Sequence, residues 1–208
     1  IVEGLKNEFP GYAVLSEEGR DDLSRLKNDW CWIVDPLDGT KEFIKGNGEF
    51  TVNIALSYQH KTVLGVIYVP VTGELYYASR GNGAWYRDKD NQRAVQIHVT
   101  DETEDIRLVM SRSHASQRLK ALINKRGIEN VLRAGSSLKG ALVAKGEAEV
   151  YYRFNPTMEW DTAAMQCIVE ESGGIFRQMD GSEMIYNREN SVNDRGFYIV
   201  NRVENMLE

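Results

Sequence analysis

An apolar, β-favouring run, Trp32-Ile33-Val34, ends abruptly on two carboxylates, Asp35 and Asp38, with Pro36 and Leu37 between them and Gly39-Thr40 behind. The run has the composition of a buried strand, and a helix-compatible stretch follows at once. Pro36 restricts φ to about −65° and offers no amide, so the chain turns sharply after Asp35 and the two acids can converge on one point. Two hard anionic groups in a small space repel each other unless a cation sits between them. Carboxylate with carbonyl oxygen is the donor set that Mg²⁺ prefers. The carbonyl of Leu37 is a third candidate ligand, and the amides of Gly39 and Thr40, free at a helix start, make a cradle for a phosphate oxygen. The same residues would also serve as an Asx-rich turn capping an ordinary helix.

At 208 residues, 42% hydrophobic and 27% charged, the chain has enough apolar material for one large domain or two small ones. A net charge of −6 argues against a nucleic-acid polymer as partner; an anionic substrate has to be drawn in by bound cations and a few local bases. No apolar run approaches the roughly 18–20 residues that span a bilayer, so no transmembrane segment is expected. Cys31 and Cys167 lie far apart in apolar surroundings and read as buried free thiols, which suits a cytoplasmic setting. The chain opens at Ile1 without Met, and Ile1 to Phe9 reads as the last turns of a helix stopped before Pro10, so a preceding segment is expected.

The acid motif sits early in an ordered pattern. Gly11 to Ser16 forms a short strand running into Glu17-Glu18, either of which would reach Asp35 if the two strands are neighbours; otherwise the pair is a solvated acidic turn. Arg20 to Asp29 is polar and reads as a surface loop or short helix. A helix over Thr40 to Lys45 is followed by strands Thr51 to Tyr58, Thr62 to Val69 and Glu74 to Ser79, an antiparallel meander with a further strand at Ala84-Trp85-Tyr86. From about Asp101 strands and helices alternate. Strands are expected at Ile106–Met110, Val131–Ala134, Glu149–Arg153 and Phe197–Val200, and helices at Ser116–Arg126, Ser136–Lys145 and Thr162–Ser172, each helix followed by glycine. The division expected is a domain over 1–101 carrying the metal motif and an α/β domain over 102–208 carrying the substrate side.

Asp161, read as the N-cap of the last helix beside Trp160, is a half-buried acid that needs a partner; a plain cap explains it as well as a metal shared with Asp35 and Asp38. Ser111-Arg112-Ser113-His114 follows a strand, Ser136-Ser137-Leu138-Lys139 opens a helix, and Arg153 ends a strand. Strand C-termini and helix N-termini are where open α/β sheets bind ligands, and so many bases suggest a second anionic group on the substrate.

Together, Glu17-Glu18, Asp35-Pro36-Leu37-Asp38-Gly39-Thr40 and Trp160-Asp161-Thr162-Ala163-Ala164 resemble the signatures of the inositol monophosphatase superfamily of Mg²⁺-dependent, lithium-sensitive phosphatases. Order and spacing agree across essentially the whole chain. Lys41-Glu42-Phe43-Ile44, Gly48 to Leu56 and Ser111 to His114 are most similar to its 3'(2'),5'-bisphosphate nucleotidase branch. In the inositol-specific branch a Glu typically stands where Arg153 stands here, so a cation favours a second phosphate.

The resemblance implies an α/β (α+β) fold layered as an α-β-α-β-α sandwich. It implies two or three Mg²⁺ ions held by Glu17, Asp35, the Leu37 carbonyl, Asp38 and Asp161. It also implies phosphate bound by the Gly39 and Thr40 amides and a catalytic set of Glu17, Asp35 and Thr40, whose hydroxyl orients the attacking water. Ser113, His114, Ser137, Lys139 and Arg153 are its candidate substrate contacts. The implied reaction is hydrolysis of the 3'-phosphate of adenosine 3',5'-bisphosphate to AMP, with the sulfated analogue as a second substrate and a link to sulfur assimilation. Alternatives are an inositol or other sugar-alcohol monophosphatase and a non-catalytic metal and nucleotide binding protein. A monomer or homodimer is expected, cytoplasmic or peripheral to the inner face of the membrane. Family members also carry an N-terminal helical pair with an acidic segment that assists the water, which would lie before Ile1.

Overall fold

Strand β1 (Ala13–Ser16) runs parallel to β2 (Trp30–Asp38), and this pairing sets everything around the acids. The structure is a computed structural model that describes residues 1–91, 93–112 and 116–208. Strand β2 runs past Val34, the end expected from composition, because β3 (Thr51–Tyr58) keeps pairing with it to Asp38 across a register shift between Asp35 and Asp38. That irregularity is the turn imposed by Pro36. β4 (Lys61–Val69), β5 (Glu74–Ser79), β6 (Ala84–Arg87) and β7 (Val95–Ile97) continue the sheet antiparallel, giving seven strands in sequence order.

The second sheet has five strands in the order β12-β14-β10-β8-β9: β8 (Arg107–Ser111), β9 (Asn130–Ala134), β10 (Val150–Arg153), β12 (Ile175–Gln178) and β14 (Phe197–Val200). A short ribbon pairs β11 (Thr157–Met158) with β13 (Val192–Asn193).

Five helices are assigned among the described residues: α1 (Val2–Glu8), α2 (Thr40–Lys45), α3 (Gln117–Arg126), α4 (Leu138–Ala144) and α5 (Glu159–Glu171). The central core lies between the sheets, where Ala164, Ile168 and Val169 of α5 and Ala141 and Val143 of α4 meet Ile33, Ile67 and Tyr76 on one side and Val109, Tyr151 and Ile199 on the other. Gly65 makes the first contact possible: a Cβ there would lie 2.5 Å from the carbonyl oxygen of Ala164, so only glycine lets α5 ride this close on β4. Outside the second sheet, Leu119 and Leu122 of α3 cover Leu108, Val150 and Val200. Outside the first, Leu5 of α1 joins Trp32, Val34 and Leu56. The layers are thus α1, sheet, α4 with α5, sheet, α3, the α-β-α-β-α order expected.

Two helix starts differ from the expectation by two residues or more. α4 begins at Leu138 rather than Ser136, because Ser136 takes φ 39° and its hydroxyl donates to the Glu49 carbonyl at 2.7 Å. α5 begins at Glu159, so Asp161 is not its N-cap. Asp161 is the third helical residue and reaches back, its Oδ2 accepting from the Met158 amide at 2.7 Å. An acid one turn inside a helix satisfies a free amide as well as a cap does, which is why sequence placed the start too late. No helix among the described residues is long and apolar enough to cross a membrane, and Cys31 and Cys167 are free, buried thiols whose pKa values burial pushes up to about 12.

Candidate active site

Three elements deliver the acids. Asp35 and Asp38 end β2, Asp161 lies in the first turn of α5, and the three offer carboxylate oxygens all within 4.8 Å of one another. The parallel register sets Ser16 beside Val34, so Glu17 is the acid that arrives next to Asp35. Its amide donates to Val34 O at 3.2 Å, and its carboxyl is one of the neighbours that push the Asp35 carboxyl up. Glu18 is exposed.

So many carboxyls in a buried space cannot all be ionised. Burial, the Asp38 charge and Glu17 push Asp35 up to about 9; burial and the Asp38 charge push Asp161 up to about 7. Asp38 is also raised, by burial, against the pull of Lys139 and of hydrogen bonds. Its Oδ2 accepts from the Ser137 amide at 2.7 Å, Asn53 Nδ2 at 3.1 Å and Thr51 Oγ1 at 3.4 Å. Three carboxylates whose mutual repulsion a cation would relieve, with Glu17 beside Asp35, fit a divalent metal.

The turn beyond the acids is shaped for an anion. Leu37 donates its amide to Asp35 Oδ1 at 2.9 Å, which closes an Asx turn and leaves its carbonyl between the two acids in sequence. Gly39 stands at φ 91° as the N-cap of α2, a conformation glycine adopts without strain, and offers no side chain of its own to the helix start. Thr40 is exposed at its first position.

A cavity of about 140 Å³ opens beside this turn, lined by Asp38, Gly39, Glu42, Ser137, Lys139, Tyr151, Arg153 and Asp161 among others. Lys139 is 5% exposed, donates from Nζ to Ser136 O at 2.5 Å, and lies 5.4 Å from the Tyr151 ring centre. Burial pulls its ammonium down to about 8, opposed by the Asp38 charge. Arg153 ends β10 in the cavity wall, and its buried Nε has no hydrogen-bond partner among the described residues. The structure therefore brings Ser137, Lys139 and Arg153 together with the acids; Ser113 and His114 lie outside the described residues.

Thr51, Asn53 and Glu42 were missed by reading residues singly. Thr51 and Asn53 are 0% and 1% exposed, and Glu42 is buried in the cavity wall. The available signal was a pair of polar residues two apart, hence on one face, of a strand that is otherwise largely apolar.

A sequence model of the Inositol monophosphatase family matches residues 1–205. The chain belongs to the inositol monophosphatase family. It is 43% identical over 201 residues to the 3'(2'),5'-bisphosphate nucleotidase CysQ of Salmonella typhimurium, covering 96% of this chain and 80% of that protein. Among solved structures, CysQ from Bacteroides thetaiotaomicron, itself described as a bacterial member of the inositol monophosphatase family, superposes with a TM-score of 0.86 at 42% identity, over 97% of this chain and 81% of that one. The extragenic suppressor protein suhB from Bartonella henselae follows at a TM-score of 0.80 and 30% identity, over 97% and 79%. This inositol monophosphatase family protein is accordingly a phosphatase, and its acidic group fits the metal dependence of the family.

Proposed function

We propose that the chain is a Mg²⁺-dependent 3'(2'),5'-bisphosphate nucleotidase that converts adenosine 3',5'-bisphosphate to AMP and phosphate. The observation that carries the second phosphate is the cavity wall: a few residues from a metal-competent acid cluster stand Lys139 and Arg153, the latter with a buried, unpaired Nε. A substrate with one phosphate uses the acid side; two cations beyond it match a substrate with another. The similarity to CysQ proteins supports the same reading.

In this reading Glu17, Asp35, the Leu37 carbonyl, Asp38 and Asp161 hold two or three Mg²⁺ ions. Bound there, the metal would supply activation of the attacking water and charge neutralisation at the leaving oxygen. The chain's own residues do the positioning. The Gly39 and Thr40 amides grip the 3'-phosphate at the start of α2, and the Thr40 hydroxyl orients the water. Lys139 and Arg153 hold the 5'-phosphate, and Ser137 links the two halves through its amide on Asp38. Water adds to the 3'-phosphorus, the bond from phosphorus to the 3'-oxygen breaks, and that oxygen leaves as the ribose hydroxyl.

Residues 1–101 thus supply the anion cradle and all the acids but Asp161, and 102–208 supply the cations. The sulfated analogue is a second substrate, sulfur metabolism the setting, lithium an inhibitor and the cytoplasm the location. Product analysis tests the regiochemistry: AMP and phosphate in equal amounts are expected, and adenosine 3'-phosphate as the product would refute it.

A further inference from the structure

In the exposed stretch between Gly19 and Asn28, Leu23 and Leu26 are 40% and 38% exposed while Arg25 is buried at 3%. Burying a guanidinium in place of neighbouring leucines is costly unless every donor is used. Here Nε and Nη2 donate to Asp21 at 3.0 and 2.8 Å, Nη1 to Asn187 Oδ1 at 2.9 Å, and Nη2 also to the Arg188 carbonyl at 2.8 Å.

The connection runs on toward the acids. Asn187, in a left-handed conformation at φ 56°, returns its side-chain amide to the carbonyls of Arg25 and Asn28 at 3.3 and 3.1 Å. Its backbone amide donates to Glu159 Oε2 at 2.6 Å, and that of Arg188 to Oε1 at 3.0 Å. Glu159 is fully buried and opens α5, two residues before Asp161. The loop that starts with Glu17 is thereby fastened to the helix turn that presents Asp161, and neither Arg25 nor Asn187 lines the cavity.

We infer that Arg25, acting through Asn187 and Glu159, is a positioning residue that sets the spacing of Glu17 and Asp161 and with it the metal affinity of the acid cluster. This rests on the metal-site reading above. Glu17 is exposed just beyond the end of β1, tied by its amide to the Val34 carbonyl, whereas Asp35 and Asp38 lie within the sheet. A device that holds the ligand-bearing elements at one separation acts on affinity as outer partners of metal ligands do, by about tenfold or more when removed.

Two substitutions separate this from a purely structural staple. Arg25→Lys keeps the charge but loses the fork. Asn187→Gly keeps the left-handed backbone and the amide on Glu159 but deletes the Asn187 side-chain bonds to Arg25 and Asn28, leaving Arg25 only the Arg188 carbonyl and Ser191 Oγ on that segment. Mg²⁺ is titrated calorimetrically into the metal-free chain, with thermal unfolding in parallel and kcat measured at saturating Mg²⁺. The expected result is Mg²⁺ binding weakened by about tenfold in both variants, with kcat returning toward wild type once Mg²⁺ saturates. Wild-type Mg²⁺ affinity in the variants, with only a lower melting temperature, would overturn the inference. If Arg25→Lys does not fold, Asn187→Gly decides alone. A wild-type chain that takes up no Mg²⁺ would instead overturn the metal-site reading beneath it.

Discussion

The backbone amide of Ser137 donates to Asp38 Oδ2 at 2.7 Å, joining positions 99 residues apart. The contact is one of three on that oxygen, and its partners are themselves tied. Ser137 Oγ donates to Asn53 Oδ1 at 2.7 Å and lies 2.8 Å from Thr51 Oγ1. With Oδ2 fully engaged, Asp38 can turn only Oδ1 toward a cation, so the orientation of this acid is fixed before any metal arrives.

Asn53 therefore governs an acid it does not replace. Asn53→Ala removes one donor to Asp38 and the acceptor of Ser137 Oγ. Mg²⁺ affinity is expected to fall about 10- to 100-fold, as for other outer partners of metal ligands. Calorimetric titration checks it, and an unchanged dissociation constant would contradict the role.

Removing an acid tests the ligand set itself. Asp38→Asn deletes one anionic ligand, so Mg²⁺-dependent turnover is expected to be lost with the fold retained. Because the substitution removes the charge that faces Lys139 as well as the repulsion felt by Asp161, the metal-free variant should melt close to wild type near neutral pH. Near wild-type turnover at matched Mg²⁺ would sink the ligand assignment.

The same repulsion gives a pH signature. Asp161 and Asp35 are raised from 3.8 to about 7 and about 9, so folding takes up protons. The stability gained from that uptake is fully present below 3.8 and is lost as pH rises through 7 and then 9. The metal-free protein should melt at a lower temperature in alkaline than in mildly acidic buffer, and saturating Mg²⁺ should shrink or reverse the slope, because metal binds the ionised acids. A melting temperature flat across that range without metal would be the contrary result.

Much of this was legible beforehand because Pro and Gly punctuate the chain. The bounds of α2, β3, β5 and β14 follow from Pro36, the Gly46 to Gly48 link and the alternation between turns. Local pattern and resemblance single out Asp35, Asp38 and Asp161, which the fold brings together. Resemblance alone prefers Glu17 to Glu18, and the parallel register sets Glu17 next to Asp35. What local pattern misses is long-range. Arg25 lies in a stretch that reads as surface, and its burial depends on residues more than 160 positions away. Ser136 reads as helical until the Glu49 carbonyl claims its hydroxyl.

Arg153 tests specificity. Arg153→Glu turns a charge-assisted contact into repulsion, so kcat/KM for the bisphosphate should fall far more than for a simple monophosphate. Equal losses on both substrates would show that Arg153 does not read the second phosphate.

Steady-state phosphate release from adenosine 3',5'-bisphosphate and from inositol 1-phosphate, each with Mg²⁺ and with excess chelator, bears most directly on the proposed activity. Mg²⁺-dependent release with kcat/KM for the bisphosphate at least about tenfold above that for the inositol ester is expected, the preference that about 1.4 kcal/mol from a second charged contact supplies. Equal or greater kcat/KM for inositol 1-phosphate, or release that persists undiminished in chelator, would contradict it.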